Sequence, residues 1–167
     1  LPAQGVAVIA VFVAIRLAAA TSALWSIPLD RALPAAVAAV AHADDYGPAL
    51  ILAIGAHETA LDPTRVGARG ECGTGQVKHR RDRARLCALA AASYAESARQ
   101  SVAALEDARA LCRRHGRRDV GCALRVYGSG VRGQPWRWSS SQAEREFRAM
   151  ERQIKTWGRV KPPREES

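Results

Sequence analysis

The amino-acid sequence predicts one mainly α-helical domain, and three observations support this fold class. The chain has 167 residues, of which 48% are hydrophobic and 25% are charged, an ordinary balance for a globular domain with one core. Long alanine-rich stretches contain few helix-breaking residues, and no clear alternation of β-branched and polar residues indicates strands. Only the segment 64–78, rich in glycine and charge, leaves room for a short β-hairpin.

Turn and capping signals divide the chain into five predicted helices. Pro34 suits a first helical turn, Asp62-Pro63 ends the second helix, and Ser141 with Glu144 forms a capping box for the last one. The predicted helices span 34–43, 48–61, 83–114, 122–127 and 141–157, and the tail 159–167 is expected to be disordered.

The first part of the chain is typical of a targeting segment. An almost unbroken apolar run over 6–15 is followed by Arg16 and then by small residues, which suits a signal peptide with a cleavage point near Ala23. The run is shorter than the about 20 apolar residues of a secure membrane span, but a retained membrane anchor is the alternative. We therefore expect 1–24 to be an export or anchor segment and 34–158 to be the folded domain.

Four cysteines support export. Their spacing lacks the CxxC pairs of a zinc site, so we interpret them as two disulfides, with buried free thiols as the alternative. Sequential pairing closes the shortest loops, and we favour Cys72 with Cys87 and Cys112 with Cys122. Disulfides persist in the periplasm or outside the cell, where we expect the protein to be located.

The charge of the chain predicts an acidic partner. The formal net charge is +9 and the sequence pI is ≈ 10.2, which attracts nucleic acid, anionic lipid or an acidic cell wall. No helix-turn-helix, zinc-finger or RNP-like pattern is found, so we do not expect a nucleic-acid partner. The sequence also has no HxxxH pattern or acidic cluster, and we assign no metal and no cofactor.

Glu58 is the candidate catalytic residue. Ile51 and Ile54 precede it by seven and four positions, so all three project from one face of the predicted helix, with Leu61 nearby. A carboxyl group on that apolar face loses water, which favours the protonated form that a general acid needs. The alternative is that Glu58 ends the helix and pairs with an arginine. His57 points about 100° away and is expected to be structural or exposed.

Four short motifs around Glu58 carry a family resemblance. They are Glu58-Thr59 with Asp62-Pro63, Gly67-Ala68-Arg69-Gly70, Gly73-Thr74-Gly75-Gln76, and the stretch from Ala123 through Tyr127 to Ser129 and Gly130. In this order they resemble the soluble lytic transglycosylases and goose-type lysozymes, whose patterns are Glu-Ser with Asn-Pro, Gly-Ala-x-Gly, Gly-Leu-Met-Gln and Ala-x-x-Tyr-Asn-x-Gly. The resemblance covers roughly 34–131. It departs from the family at Thr59, Asp62, Thr74, Gly75 and Gly128.

The resemblance implies a lysozyme-like domain with a substrate cleft for peptidoglycan glycan strands. It implies that Glu58 is the single essential acid, and that the residues bordering the substrate are Gln76, Tyr127, Thr59, Gly75 and Ser129. It also implies cleavage between N-acetylmuramic acid and N-acetylglucosamine that is assisted by the substrate's own acetamido group and gives 1,6-anhydro products. Trp136 and Trp138 could stack on sugar rings, or they could be core residues.

Two alternatives to a transglycosylase stay open. A hydrolytic lysozyme needs a second carboxylate, for which Glu71 is the candidate, whereas Asp62 and Asp82 are expected to be structural. A catalytically inactive wall-binding module is the other alternative, because several motif positions differ from the family pattern. We expect a monomer that is periplasmic, extracellular or part of a phage virion, with membrane attachment through the N-terminal segment as an option.

Overall fold

The computed structural model describes residues 3–43 and 47–129, together with positions 148, 149 and 152. The fold is mainly α, as the sequence predicts. The helices of the described ranges are α1 Ala3–Trp25, α2 Leu29–His42, α3 Pro48–Thr59, α4 Arg83–Ala92, α5 Tyr94–Arg114 and α6 Val120–Ser129. Apart from those three positions, the predicted helix 141–157 and the tail 159–167 lie outside the described residues.

The N-terminal helix α1 packs onto the rest of the fold along one face. Ala14, Leu17 and Ala18 are buried in the main core, and the buried Thr21 hydroxyl donates to the Leu17 carbonyl at 2.8 Å. The segment Val8–Trp25, with a mean hydropathy of 2.0, is long and apolar enough to cross a membrane. Signal sequences and core helices have the same length and composition, so this property alone does not assign α1 to a bilayer.

The second helix begins earlier than the sequence predicts. It starts at Leu29, after the extended Pro28 whose carbonyl accepts from the N–H groups of Arg31 and Ala32, so Pro34 lies inside the helix. Proline has no N–H, and Pro34 therefore cannot bond the carbonyl four residues earlier. Packing in the main core compensates for this missing hydrogen bond. The buried residues of α2 that pack there are Ala32, Ala35, Ala36, Ala38 and Ala39.

Helix α3 is the centre of the core. Its residues from Leu50 to Ala56 are buried, and it has Pro48 at the first turn, as the sequence predicts. It ends at Thr59, because Ala60 and Leu61 both take positive φ angles, of 52° and 61°. The Leu61 N–H then bonds the Gly55 carbonyl at 3.1 Å, which folds the buried Leu61 side chain back onto α3.

The predicted helix 83–114 is two helices. Ser93 is extended, with a φ of −152°, and its hydroxyl accepts from the Glu96 N–H at 3.4 Å, so Ser93 caps the start of α5. A serine oxygen satisfies an N–H group that a new helix leaves without a partner, which is why the chain restarts there. Alanines on both sides of Ser93 favour helix, so the local sequence does not indicate this break.

Two disulfides connect the elements around the long loop and the last helices. Cys72 pairs with Cys87 and Cys112 pairs with Cys122, which is the pairing that the spacing favours. The first bond ties the loop between α3 and α4 to α4, and the second ties the end of α5 to α6. In that loop Cys72 also forms isolated β-bridges with Val66 and Val77, and these bridges are all that the described residues contain of the predicted hairpin.

The packing of α1 predicts that a truncation on its inner face destabilises the protein. Leu17 is 3% exposed, and Leu17→Ala should lower the free energy of unfolding by about 2 to 5 kcal/mol, because a cavity replaces its contacts. Ile15 is 52% exposed on the same helix, and Ile15→Ala should change the free energy of unfolding by less than about 1 kcal/mol. Urea denaturation of the full chain, followed by circular dichroism, measures both. Equal, small effects would mean that α1 adds nothing to the core.

Candidate active site

The fold has a cleft of ≈ 1530 Å³, and its lining residues all come from the part of the chain that follows α2. Its lining comes from α3, the long loop, α4, α5 and α6, and includes Glu58, Ala68, Glu71, Gln76, Leu86, Gln100, Asp107, Tyr127 and Gly128. Basic side chains along it are Arg69, Lys78, Arg80, Arg81, Arg99 and Arg114. The cleft therefore brings Glu58, Glu71, Gln76 and Tyr127 of the predicted site together on one surface.

Glu58 lies where the buried face of α3 meets this cleft. Ile54, one turn earlier, and Ile51, two turns earlier, are buried as the sequence predicts, whereas Glu58 itself is half-buried. The neighbouring His57 is exposed. Glu58 thus lies at the border between the buried part of α3 and the cleft that it lines.

Tyr127 of α6 directs its hydroxyl towards the loop beside Glu58. The hydroxyl donates to the Gly75 carbonyl at 2.7 Å. Burial is the main reason that the pKa of this hydroxyl lies well above its usual range; the charge of Glu58 raises it further, and a hydrogen bond with Ser101 opposes them. Tyr127 therefore remains protonated, and its O–H group is engaged in the hydrogen bond to the Gly75 carbonyl.

The glycine loop, residues 73–76, requires glycine at two positions. Gly73 has a φ of 75°, a conformation that residues with a side chain rarely adopt. A Cβ at Gly75 would collide with the Ser101 hydroxyl and the Tyr127 hydroxyl. The loop backbone consequently lies directly against α5 and α6.

Buried hydroxyl groups hold the glycine loop from the other sides. Thr59 donates to the carbonyls of Gly55, at 3.2 Å, and Thr74, at 3.0 Å, and accepts from the Asp62 N–H at 3.1 Å. From α5, the Ser97 hydroxyl accepts from the Thr74 N–H at 2.7 Å and lies 2.9 Å from the Thr74 hydroxyl. Thr59 is 2% exposed, so its side chain holds the loop and has no surface for the substrate contact that the resemblance implies.

Gln76 ends the glycine loop and lines the cleft. Its φ is 51°, and its amide nitrogen donates to the carbonyls of Arg65, at 3.0 Å, and Gly73, at 3.1 Å. The amide N–H groups therefore fasten two parts of the loop together. The amide oxygen, which faces Gly67, is the part of this side chain with acceptor capacity for a ligand.

Glu71 lies in the same cleft but is held by its neighbours. Its two oxygens contact the Arg69 Nε at 2.9 Å and the Arg69 N–H at 3.0 Å. Partial burial favours the neutral acid, but hydrogen bonds from the Glu71 and Arg69 backbone, with the charges of Arg69 and Lys78, outweigh it and lower the pKa of Glu71. Glu71 is thus an ionised carboxylate, unsuited to donating a proton near neutral pH.

Asp62, which the sequence analysis expects to be structural, closes a turn. The N–H and hydroxyl of Thr64 both donate to its carboxylate, at 3.0 and 2.7 Å. Both hydrogen bonds lower the pKa of Asp62, and the bond from the Thr64 side chain has the larger effect.

Sequence reasoning missed the polar residues that α5 supplies. The Gln100 amide oxygen accepts from the His79 ring Nε2 at 2.8 Å, and its amide nitrogen donates to the Leu86 carbonyl and to Glu96. Ser97 and Ser101, one turn apart on an alanine-rich helix, are buried. The sequence does contain a signal for these residues. Two serines spaced four residues apart on an otherwise apolar helix face indicate buried hydroxyl groups that need hydrogen-bond partners.

Three residues that the sequence suggests as sugar contacts, Ser129, Trp136 and Trp138, have side chains outside the described part of the structure. Ser129 is the last residue of α6, and nothing further is described of it. Trp136 and Trp138 lie outside the described residues. Within the described part of the chain, no group of three or more His, Cys, Asp or Glu could hold a metal ion.

Comparison of the chain with protein-family models, with curated proteins and with solved structures finds no match.

The contact between Gly75 and Tyr127 can be tested by coupled substitutions. Gly75→Ala should lower the free energy of unfolding by roughly 1 to 3 kcal/mol because its methyl group collides with two hydroxyls, and Tyr127→Phe should lower it by about 1 kcal/mol through the lost hydrogen bond. Since Tyr127→Phe also removes one of the colliding atoms, the double variant should lose less than the sum. Urea denaturation of the three variants measures this coupling, and strict additivity would contradict the described contact.

Proposed function

We propose that this protein is a peptidoglycan lytic transglycosylase in which Glu58 is the catalytic acid and base. The observation that carries the proposal is the position of Glu58, a half-buried carboxyl group at the end of a buried helix that opens into a long cleft. The motifs around it resemble those of soluble lytic transglycosylases, and the mainly α fold agrees with that class.

In the proposed reaction, protonated Glu58 donates its proton to the glycosidic oxygen as the bond from this oxygen to C1 of N-acetylmuramic acid breaks. The acetamido oxygen of the same sugar attacks C1 and forms a cyclic oxazolinium ion, so no second carboxylate is needed. The Glu58 carboxylate then accepts the proton of the C6 hydroxyl while that oxygen attacks C1 and the acetamido oxygen leaves. The product is a 1,6-anhydro sugar, no water is consumed, and Glu58 is again protonated.

One neighbour of Glu58 supports its role in the cleft. Tyr127, which remains neutral, is close enough for the charge of Glu58 to raise the pKa of the tyrosine hydroxyl, and both residues line the cleft. The Tyr127 hydroxyl donates its hydrogen bond to the Gly75 carbonyl. We therefore propose that Tyr127 is a positioning residue, which holds the glycine loop in place beside the cleft. The oxygen of Gln76 is the proposed acceptor for a sugar hydroxyl or acetamido N–H.

The charge of the cleft supports a substrate that carries carboxylates. Of its six basic side chains, Arg69 is paired with Glu71 and Arg99 is paired with Glu96. Lys78, Arg80 and Arg81 follow the glycine loop directly and are exposed or nearly so. Peptidoglycan presents carboxylates on its lactyl groups and peptide stems, which such a cleft would attract.

A hydrolytic lysozyme is the second candidate, because Glu71 is an ionised carboxylate in the same cleft. Its two contacts with Arg69 favour the single-carboxylate reaction, since a catalytic base or nucleophile needs a lone pair directed at water or C1.

An exported location fits this function. The two disulfides and the apolar N-terminal helix both favour export, and we propose that the protein acts in the periplasm or outside the cell.

The proposal predicts that Glu58→Gln abolishes glycan cleavage while Glu71→Gln retains most of it. A glutamine cannot donate the proton, so the rate should fall at least about a hundredfold. The measurement is mass spectrometry of the products released from purified peptidoglycan sacculi. Glu71→Gln is the matched control, because it makes the same change in the same cleft, and thermal unfolding of both variants shows that they are folded.

Products that carry the 1,6-anhydro group and depend on Glu58 support the transglycosylase. Products heavier by one water, with equal losses from both substitutions, would identify the lysozyme instead. Binding to sacculi with no release of products by the unaltered protein would leave a wall-binding module.

A further inference from the structure

The described outer surface of α1 and α2 is mostly apolar, with Asp30 as an exposed charged residue at the start of α2. Among the residues whose exposure the structure describes, all but two of the exposed large hydrophobic ones belong to these helices, namely Val8, Ile9, Val11, Phe12, Val13, Ile15, Leu24, Leu29, Leu33 and Val37. The three on α2 are spaced four residues apart and therefore form one stripe. Helices on the surface of a soluble domain normally have a polar outer face, so this surface needs an explanation.

The same helix α1 has an inner face that is built into the protein. Leu17 and Ala18 belong to the main core, together with Ala36 of α2 and Leu50 of α3. A signal peptide or a simple anchor would have no packed face towards the domain. The apolar outer face is therefore part of the surface of the folded domain.

We propose that the outer face of α1 and α2 binds a lipid bilayer with anionic headgroups, and that α1 stays in the mature protein as part of the domain. The helix would lie in the interfacial region, with its apolar side among the acyl chains and the domain core on its other side. This inference concerns attachment and does not depend on whether Glu58 cleaves glycans.

The angular spread of the exposed residues favours lipid over a protein partner. At about 100° per residue, the exposed positions from Val8 to Ile15 cover an arc of about 200° around α1. The flat surface of one partner protein contacts only part of such an arc. Acyl chains can surround it.

The single charge of α1 favours anionic headgroups. Arg16 is the one charged residue of α1, and its guanidinium lies 5.5 Å from the centre of the Phe12 ring. An arginine beside an inserted aromatic residue can extend its charge to the headgroups while its alkyl chain stays in the apolar region. The net charge of +9 strengthens the attraction to a negative surface.

The position of the cleft is compatible with this attachment. None of the described residues of α1 or α2 lines the cleft, which is built from α3 onwards. A bilayer on the α1 and α2 face would therefore leave the cleft walls uncovered.

The test is sedimentation of the full chain with phosphatidylcholine vesicles that contain or lack phosphatidylglycerol. Ile9→Gln/Phe12→Gln removes two apolar side chains from the face and should raise the dissociation constant at least about tenfold. The matched control is Val66→Gln/Leu89→Gln, which removes two exposed hydrophobic residues that lie outside the face and should leave binding unchanged. Leu33→Gln/Val37→Gln should weaken binding severalfold, because α2 shares the face. Circular dichroism checks that each variant is folded.

Tighter binding to the vesicles with phosphatidylglycerol, reduced by Ile9→Gln/Phe12→Gln and not by the control, supports the proposal. Equal binding by all variants would overturn it, because charge alone would then explain the attraction. Absence of vesicle binding, with a lipid-free dimer that Ile9→Gln/Phe12→Gln dissociates in sedimentation velocity, would also overturn it and assign the face to a second copy of the chain.

Discussion

The glycine loop is held between α3, α5 and α6 by buried hydroxyl groups, and the shape of the cleft depends on this contact. Thr59, Ser97 and Tyr127 each bond its backbone, and Gly75 leaves no room for a side chain between Ser101 and Tyr127. Buried backbone groups must find hydrogen-bond partners, so these hydroxyls make the close packing of an irregular loop possible. The disulfide from Cys72 to Cys87 fastens the same loop to α4. One wall of the cleft is therefore rigid although it contains no regular secondary structure.

The burial of α3 determines where the candidate acid lies. Residues up to Ala56 are surrounded by the core, and the two left-handed residues after Thr59 turn the chain away immediately. Glu58 is thus in the last turn before the core ends, half-buried and on the lining of the cleft. The proposed transglycosylase reaction needs a carboxyl group in such a position, because the acid must reach the substrate and burial favours the protonated form of a carboxyl group.

The surface of α1 and α2 differs in character from the surface of the cleft. Residues 3–43 contain Arg16, Asp30 and Arg31 as their charged side chains, whereas the cleft alone has six basic residues. An apolar surface and a basic surface suit different environments, the first a bilayer and the second an acidic polymer. A protein held at a membrane through α1 and α2 could work on a wall layer next to that membrane, and this arrangement joins the two proposals without making either depend on the other.

The sequence by itself determined the elements whose signals are local. Helical composition, Pro48 at the start of α3, the stripe of Ile51 and Ile54 leading to Glu58, and the sequential disulfides all follow from neighbouring residues or short spacings. Only the tertiary structure decided that α2 continues through Pro34, that Thr59 is buried, and that Ser97 and Ser101 meet the glycine loop, because these outcomes depend on contacts between residues far apart in the chain. A proline gap, a hydroxyl or a positive φ is stable only when distant elements supply packing or hydrogen bonds, and no local pattern records them.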